Sequence, residues 1–150
     1  MTYYFEDEKR EKKLGRILEE WRGTPYRHHC GVKGLGCDCL HFVGRVLEEI
    51  GLLKWRKDLF PDYPRDWHLH NTRQVLSEGI ERELKVEKVG LANPMDGDII
   101  LHHYGKAASH AGIFFDGFVY HAIAGAGVIR TSFQDQTFRK RMQFAYRVLA

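Results

Sequence analysis

The sequence predicts an α+β domain, with helices packed on a central antiparallel β-sheet. Apolar residues in the first half recur at helical spacing, from Leu14 to Trp21 and again from Cys39 to Ile50. After Asn93-Pro94-Met95-Asp96-Gly97 the period shortens to that of strands, and Asp116-Gly117 supplies a hairpin turn between two of them. Helices first and strands later, without alternation, separate this pattern from a βαβ arrangement.

The chain of 150 residues is read as one domain, 1–150, with no repeat, low-complexity tract or linker to divide it. Hydrophobic residues at 43% and charged residues at 29% fit a globular protein that can bury a core. A net charge of +3 is too small to imply nucleic acid as a partner. No run approaches the roughly 18 apolar residues of a membrane span, so no membrane insertion is expected. Met1 to Glu8 lacks the basic-then-apolar order of a secretory signal, which predicts synthesis and folding in the cytoplasm. The three cysteines, Cys30, Cys37 and Cys39, crowd into ten residues. An odd number without a signal argues against a disulfide framework and for chemistry.

Taken in order, Glu6–Arg22 reads as an amphipathic helix with Leu14, Ile17, Leu18 and Trp21 on one face. Gly23-Thr24-Pro25 breaks it, and a His-, Gly- and Cys-rich loop runs from Tyr26 to Gly36. Asp38 is a good N-cap for a second helix, Cys39 to Ile50, and Gly51 is placed to stop it. Gly51–Arg65 should be irregular, and Asp66–Glu81 a third helix with Leu76 and Ile80 inward. Strands are predicted at Leu84–Val89, Asp98–His103, His110–Phe115, Phe118–Ala122, Gly127–Thr131 and Gln143–Leu149.

Cys39 therefore falls in the first turn of a helix, where unpaired N–H groups and the macrodipole favour a thiolate. Such a nucleophile needs a base, and the base needs an orienting group. A two-residue Asp-Gly loop pairs positions whose numbers sum to about 233. That register sets His110 near Ile123 and His121 near Gly112, on adjacent strands, with parities that share one sheet face. If the Cys39 helix packs on that face with its N-terminus toward the histidines, thiol, imidazole and a second polar group line up.

Four stretches in order resemble the NlpC-type cysteine peptidases of the papain-like superfamily, and most of all their compact phage-associated branch. They are Trp21-Arg22-Gly23-Thr24-Pro25-Tyr26, Gly36-Cys37-Asp38-Cys39-Leu40, Pro94-Met95-Asp96-Gly97-Asp98-Ile99-Ile100-Leu101, and Ser109-His110-Ala111-Gly112-Ile113 followed by Tyr120-His121-Ala122. The resemblance implies a papain-like fold, with Cys39 as nucleophile, His110 as general base and His121 as the orienting third residue. It implies Tyr26 and Asp38 as substrate-binding residues, Asp38 holding a substrate amino group, and no cofactor. The implied substrate is a stem peptide of peptidoglycan, the bond from D-glutamate to a diamino acid being the candidate. The implied setting is a phage particle or a released protein, targeted by a phage tail or other partner protein.

Many cell-wall members of the family carry Ser-Gly where this chain has Leu40-His41. His41 would point about 200° away from Cys39 on a helix. Three other functions use the same residues differently. A non-catalytic tail or assembly scaffold would keep the fold without turnover. An amidase or acyltransferase would keep the thiol and change the substrate. A zinc module would draw on Cys30, Cys37 and Cys39 with His28 or His29, but that spacing lacks a Cys-x2-Cys knuckle. His102-His103 should place one ring inward and one toward solvent, and Arg139-Lys140-Arg141 is read as a solvated turn.

Overall fold

A computed structural model describes residues 2–56, 59–60, 75–104 and 107–150. After a 3-10 turn at Tyr4–Glu6, helix α1 spans Glu8–Trp21, its N-cap Asp7 accepting from the Arg10 N–H. Leu14, Ile17, Leu18 and Trp21 are its buried residues, as the spacing predicts. The loop that follows forms two short strands, β1 (Gly31–Val32) and β2 (Gly36–Cys37), which pair antiparallel. Helix α2 spans Cys39–Ile50, from the predicted Asp38 N-cap to a left-handed Gly51 at φ 97°.

The predicted third helix appears as α3, Val75–Glu83, and the part of that prediction from 66 to 74 lies outside the described residues. Six strands then build the main sheet: β3 (Val86–Val89), β4 (Ile99–Tyr104), β5 (Ala107–Phe115), β6 (Phe118–Ile123), β7 (Gly127–Ser132) and β8 (Met142–Val148). Their order is β3-β8-β4-β5-β6-β7, and every pairing is antiparallel. A one-turn helix, α4 (Gln136–Arg139), precedes β8. Asp116 and Gly117 both have positive φ, 50° and 84°, as a tight primed turn demands. The register beside them, Phe114↔Val119 and Ile113↔Tyr120, is the predicted one.

The sheet is buried on both faces. On one face Leu14, Trp21, Phe42 and Leu47 pack with Leu101, Ala111, Ile113 and Tyr120. On the other, Phe133, Phe138 and Met142 cover Ile100, Phe114 and Val119. Helix α2 therefore lies on the Ala111 and Ile113 face. That corrects the expectation that it packs on the face shared by His110, Gly112, His121 and Val119. The physical reason is in the parities: both sets are apolar enough to be covered, so the alternation of β5 and β6 does not select the helix side.

Asp98 ties the turn before β4 to the neighbouring strand β8. Its carboxylate, 1% exposed, accepts from the Met95 N–H and takes two hydrogen bonds from Arg147 of β8, at 3.0 and 2.8 Å. This gives the Pro-x-x-Gly-Asp stretch a structural purpose: the turn before β4 is closed and bolted to β8.

Candidate active site

Asp38 organises the start of α2. Its Oδ1 accepts from the His41 backbone N–H and contacts His41 Nδ1, both at 2.9 Å. Its Oδ2 accepts from the His29 N–H at 2.7 Å, and the carboxylate is 2% exposed. His29 reaches this position with a positive φ of 58°. Asp38 thus caps the helix and closes the preceding loop with the same two oxygens. Its carboxylate faces inward, toward His41 and His29. His41 is itself buried, with ring neighbours His29, Trp55 and Phe60 between 5.2 and 5.6 Å away. Gly31 is tight here, because a Cβ would sit 3.0 Å from the Cβ of His41.

Cys39 is the first residue of α2 and 9% exposed. Burial pushes its thiol up to about 12, and the charge of Asp38 adds to the rise. Backbone hydrogen bonds from Ala111, Leu40 and Cys39 itself act the other way. Backbone groups at the helix start thus act toward the thiolate, and burial outweighs them. The Ala111 contact links the thiol to the middle of β5, where His110 is the preceding residue. Tyr26 is half-buried and bridges to Cys37, two residues before Cys39. Cys37 is fully buried, and its thiol is also raised to about 12, first by burial and then by Asp38.

The histidines converge behind that contact. His110 Nε2 lies 2.9 Å from His121 Nδ1. His121 Nε2 in turn lies 2.8 Å from Thr131 Oγ1 on β7. His102 of β4 joins them, its ring 5.2 Å from that of His110 and stacked on Phe138 at 4.5 Å. Burial, then the neighbouring histidines, holds His110 well below 6.5. Burial lowers His121 to about 4, and burial with His121 lowers His102 to about 3. All three rings are therefore neutral at pH 7. Glycine at 112 makes the cluster fit, since a Cβ there would lie 2.8 Å from the Tyr120 carbonyl oxygen and 3.0 Å from the His121 Cβ.

The structure thus brings His110 and His121 into contact on β5 and β6, and sets Cys39 against β5 at Ala111, the residue after His110, with Tyr26 on the loop before β1. Two residues of this cluster carry no predicted role. His102 is fully exposed to no solvent, at 0%, while His103 is half-buried, so the inward ring of that pair is His102. Thr131 could have been found from the β6–β7 register, which opposes His121 to Ile129 and sets Thr131 diagonally two residues on. Among the described residues, no group of three or more His, Cys, Asp or Glu side chains is placed to share a metal ion.

Residues 23–147 match the family model of the NlpC/P60 family. The chain belongs to the NlpC/P60 family. A murein DD-endopeptidase/murein LD-carboxypeptidase of Escherichia coli K12, MepS, is 29% identical over 140 residues. That alignment covers 90% of this chain and 63% of the relative, so the chain spans less than two thirds of the relative's length. Solved NlpC/P60 structures share the fold. The NlpC/p60 domain of the peptidoglycan hydrolase SagA superposes with a TM-score of 0.59 at 19% identity, over 90% of this chain and 96% of that one. An NLP/P60 family protein similar to a lipoprotein, from Staphylococcus aureus Mu50, gives 0.66 at 16% identity, over 96% of this chain and 43% of that one. The architecture of this NlpC/P60 chain is papain-like: a helix that begins at a cysteine, packed on an antiparallel sheet.

Proposed function

We propose that this chain is a cysteine peptidase that hydrolyses amide bonds in peptidoglycan stem peptides. The observation that carries the proposal is the linkage of Cys39 to Ala111, next to a His110 that is hydrogen-bonded to His121. Family membership supports the class of substrate, since relatives are named as murein endopeptidases and peptidoglycan hydrolases.

In this mechanism the Cys39 sulfur attacks the amide carbonyl carbon while His110 accepts the thiol proton. His110 Nε2 is committed to His121, so Nδ1 is the nitrogen that serves the thiol. The His41 N–H is taken by Asp38 Oδ1 and the Phe42 N–H by the Asp38 carbonyl. The Cys39 N–H, in the first turn of α2, is the natural donor to the developing oxyanion. His110 passes its proton to the leaving amine, the C–N bond breaks, and a thioester remains on Cys39. Water, deprotonated by His110, hydrolyses the thioester and restores the thiol. Tyr26 borders the substrate side from the loop before β1.

The candidate bond is the one from D-glutamate to a diamino acid, and the candidate setting is a phage or phage-derived particle with a tail or targeting partner. Both rest on the resemblance of Gly36-Cys37-Asp38-Cys39-Leu40 to the phage-associated pattern. Purified peptidoglycan is incubated with the protein and with Cys39→Ala, and released peptides are identified by mass. Release by the parent alone is expected, and fragment masses identify the bond. Equal, negligible release from both would overturn the hydrolase and favour a scaffold of the same fold.

A further inference from the structure

His121 is 2% exposed, and both of its ring nitrogens are engaged, Nδ1 toward His110 and Nε2 toward Thr131. A neutral imidazole donates from one nitrogen and accepts at the other. Two proton arrangements satisfy this row. In the first, His110 Nε2–H donates to His121 Nδ1, and His121 Nε2–H donates to Thr131 Oγ1. In the second every donation reverses. The Thr131 hydroxyl donates to His121 Nε2, His121 Nδ1–H donates to His110 Nε2, and His110 must keep its proton on Nδ1.

Only the first arrangement leaves a lone pair on His110 Nδ1 to receive a proton. Once His110 is protonated, both its nitrogens are donors, so His121 Nδ1 must accept and His121 Nε2 must carry the hydrogen. That hydrogen sits on a buried ring, and Thr131 Oγ1 is the acceptor within reach. A buried N–H without a partner is costly, and more so next to a charged donor chain.

We propose that Thr131 is a positioning residue of the active site: its hydroxyl oxygen holds His121 in the Nε2–H tautomer, and through it keeps His110 Nδ1 free of hydrogen as the base. The proposal rests on His110 being the base. It extends the row of Cys39, His110 and His121 by a fourth member on β7. Thr131 contacts neither thiol nor substrate in this scheme. It acts through His121.

The test is a pair of variants, Thr131→Val and Thr131→Ser. Valine keeps the branched shape and strand preference and removes the hydroxyl, whereas serine keeps the hydroxyl. The tautomer of His121 is read directly by NMR of isotope-labelled histidine, without substrate. The parent and Thr131→Ser should show the Nε2–H form, and Thr131→Val should shift His121 toward Nδ1–H. On peptidoglycan fragments, Thr131→Val should lower kcat by about tenfold at nearly unchanged KM, the effect of losing one buried hydrogen bond. Thr131→Ser should recover most of the rate. A parent His121 in the Nδ1–H form, or a Thr131→Val protein with unchanged tautomer, would overturn the proposal. A parent that fails to cleave peptidoglycan while the tautomer shift appears would refute the substrate assignment and leave the Thr131 role standing.

Discussion

Lowering the pH from 8 to 5 should cost this protein several kcal/mol of stability, and the buried histidines set the amount. Folded His102 titrates at about 3 and folded His121 at about 4, against 6.5 for an ordinary histidine. Between those values the unfolded chain binds protons that the folded chain refuses. Stability therefore rises with pH across the window and is lost as pH falls below 6.5. At pH 5 each of the two histidines lies 1.5 pH units below 6.5 and still above its folded value, which at about 1.36 kcal/mol per unit is roughly 2 kcal/mol each. Their sum, about 4 kcal/mol, is a large part of the roughly 5–15 kcal/mol that holds an ordinary domain together. His110, also held well below 6.5, adds to the loss in the same direction. Urea unfolding at half-unit pH steps from 8 to 5 reads the effect. His102→Phe should flatten the slope by about one proton, since it removes one buried titrating ring. A parent protein whose stability is level from pH 8 to 5 would refute the neutral, buried state of these rings.

Three other predictions concern the start of α2. Alkylation of Cys39 by iodoacetamide in the free protein should rise with pH and show its inflection above the ordinary thiol value of about 8.5. A plateau already reached below pH 7 would mean a preformed thiolate. Asp38→Ala should destabilise the fold by about 2–4 kcal/mol, because it removes an N-cap and leaves buried donors unpaired. In Asp38→Asn, the ratio of kcat/KM for stem peptides with free and with acetylated amino groups should not change. A selective loss on the free amine would mean that Asp38 does hold the substrate.

Much of this was legible in the sequence because it is local. The Asp38 cap, the Gly51 stop and the Asp116-Gly117 turn each depend on local backbone preference, and the turn fixes the β5–β6 register from Phe115↔Phe118 to Ile113↔Tyr120. The side of the sheet that α2 covers was not legible, because Ala111 and Ile113 alternate with Gly112 and Phe114, and both sets are buried. The partners of Asp38 were half legible. His41 lies three residues away on the same helix, while His29 arrives through the folding of the loop. Helix α1 begins after Asp7, not at Glu6, because the Asp7 side chain takes the Arg10 N–H. Thr131 was missed because its contact spans two strands and depends on the β6–β7 register, which no tight turn announces.

The opposing effects at Cys39 bear on how a buried pair can still react. Burial raises its thiol and lowers His110, so both shifts oppose a resting ion pair. In the proposed mechanism the thiol, and not a free thiolate, would wait for substrate. Proton transfer becomes favourable only as the sulfur's charge is consumed by bonding to carbon and reappears on the carbonyl oxygen. There the N–H groups at the start of α2 can meet it. On the imidazole side the proposed mechanism would spread the new charge along His121 and Thr131. Each end of the transfer thus has hydrogen-bonding groups already in place, and neither needs water to reorganise. In the proposed mechanism the helix start alone would not make Cys39 reactive: the strand that brings Ala111 to the sulfur also carries His110, the first of the row of groups that would receive its proton.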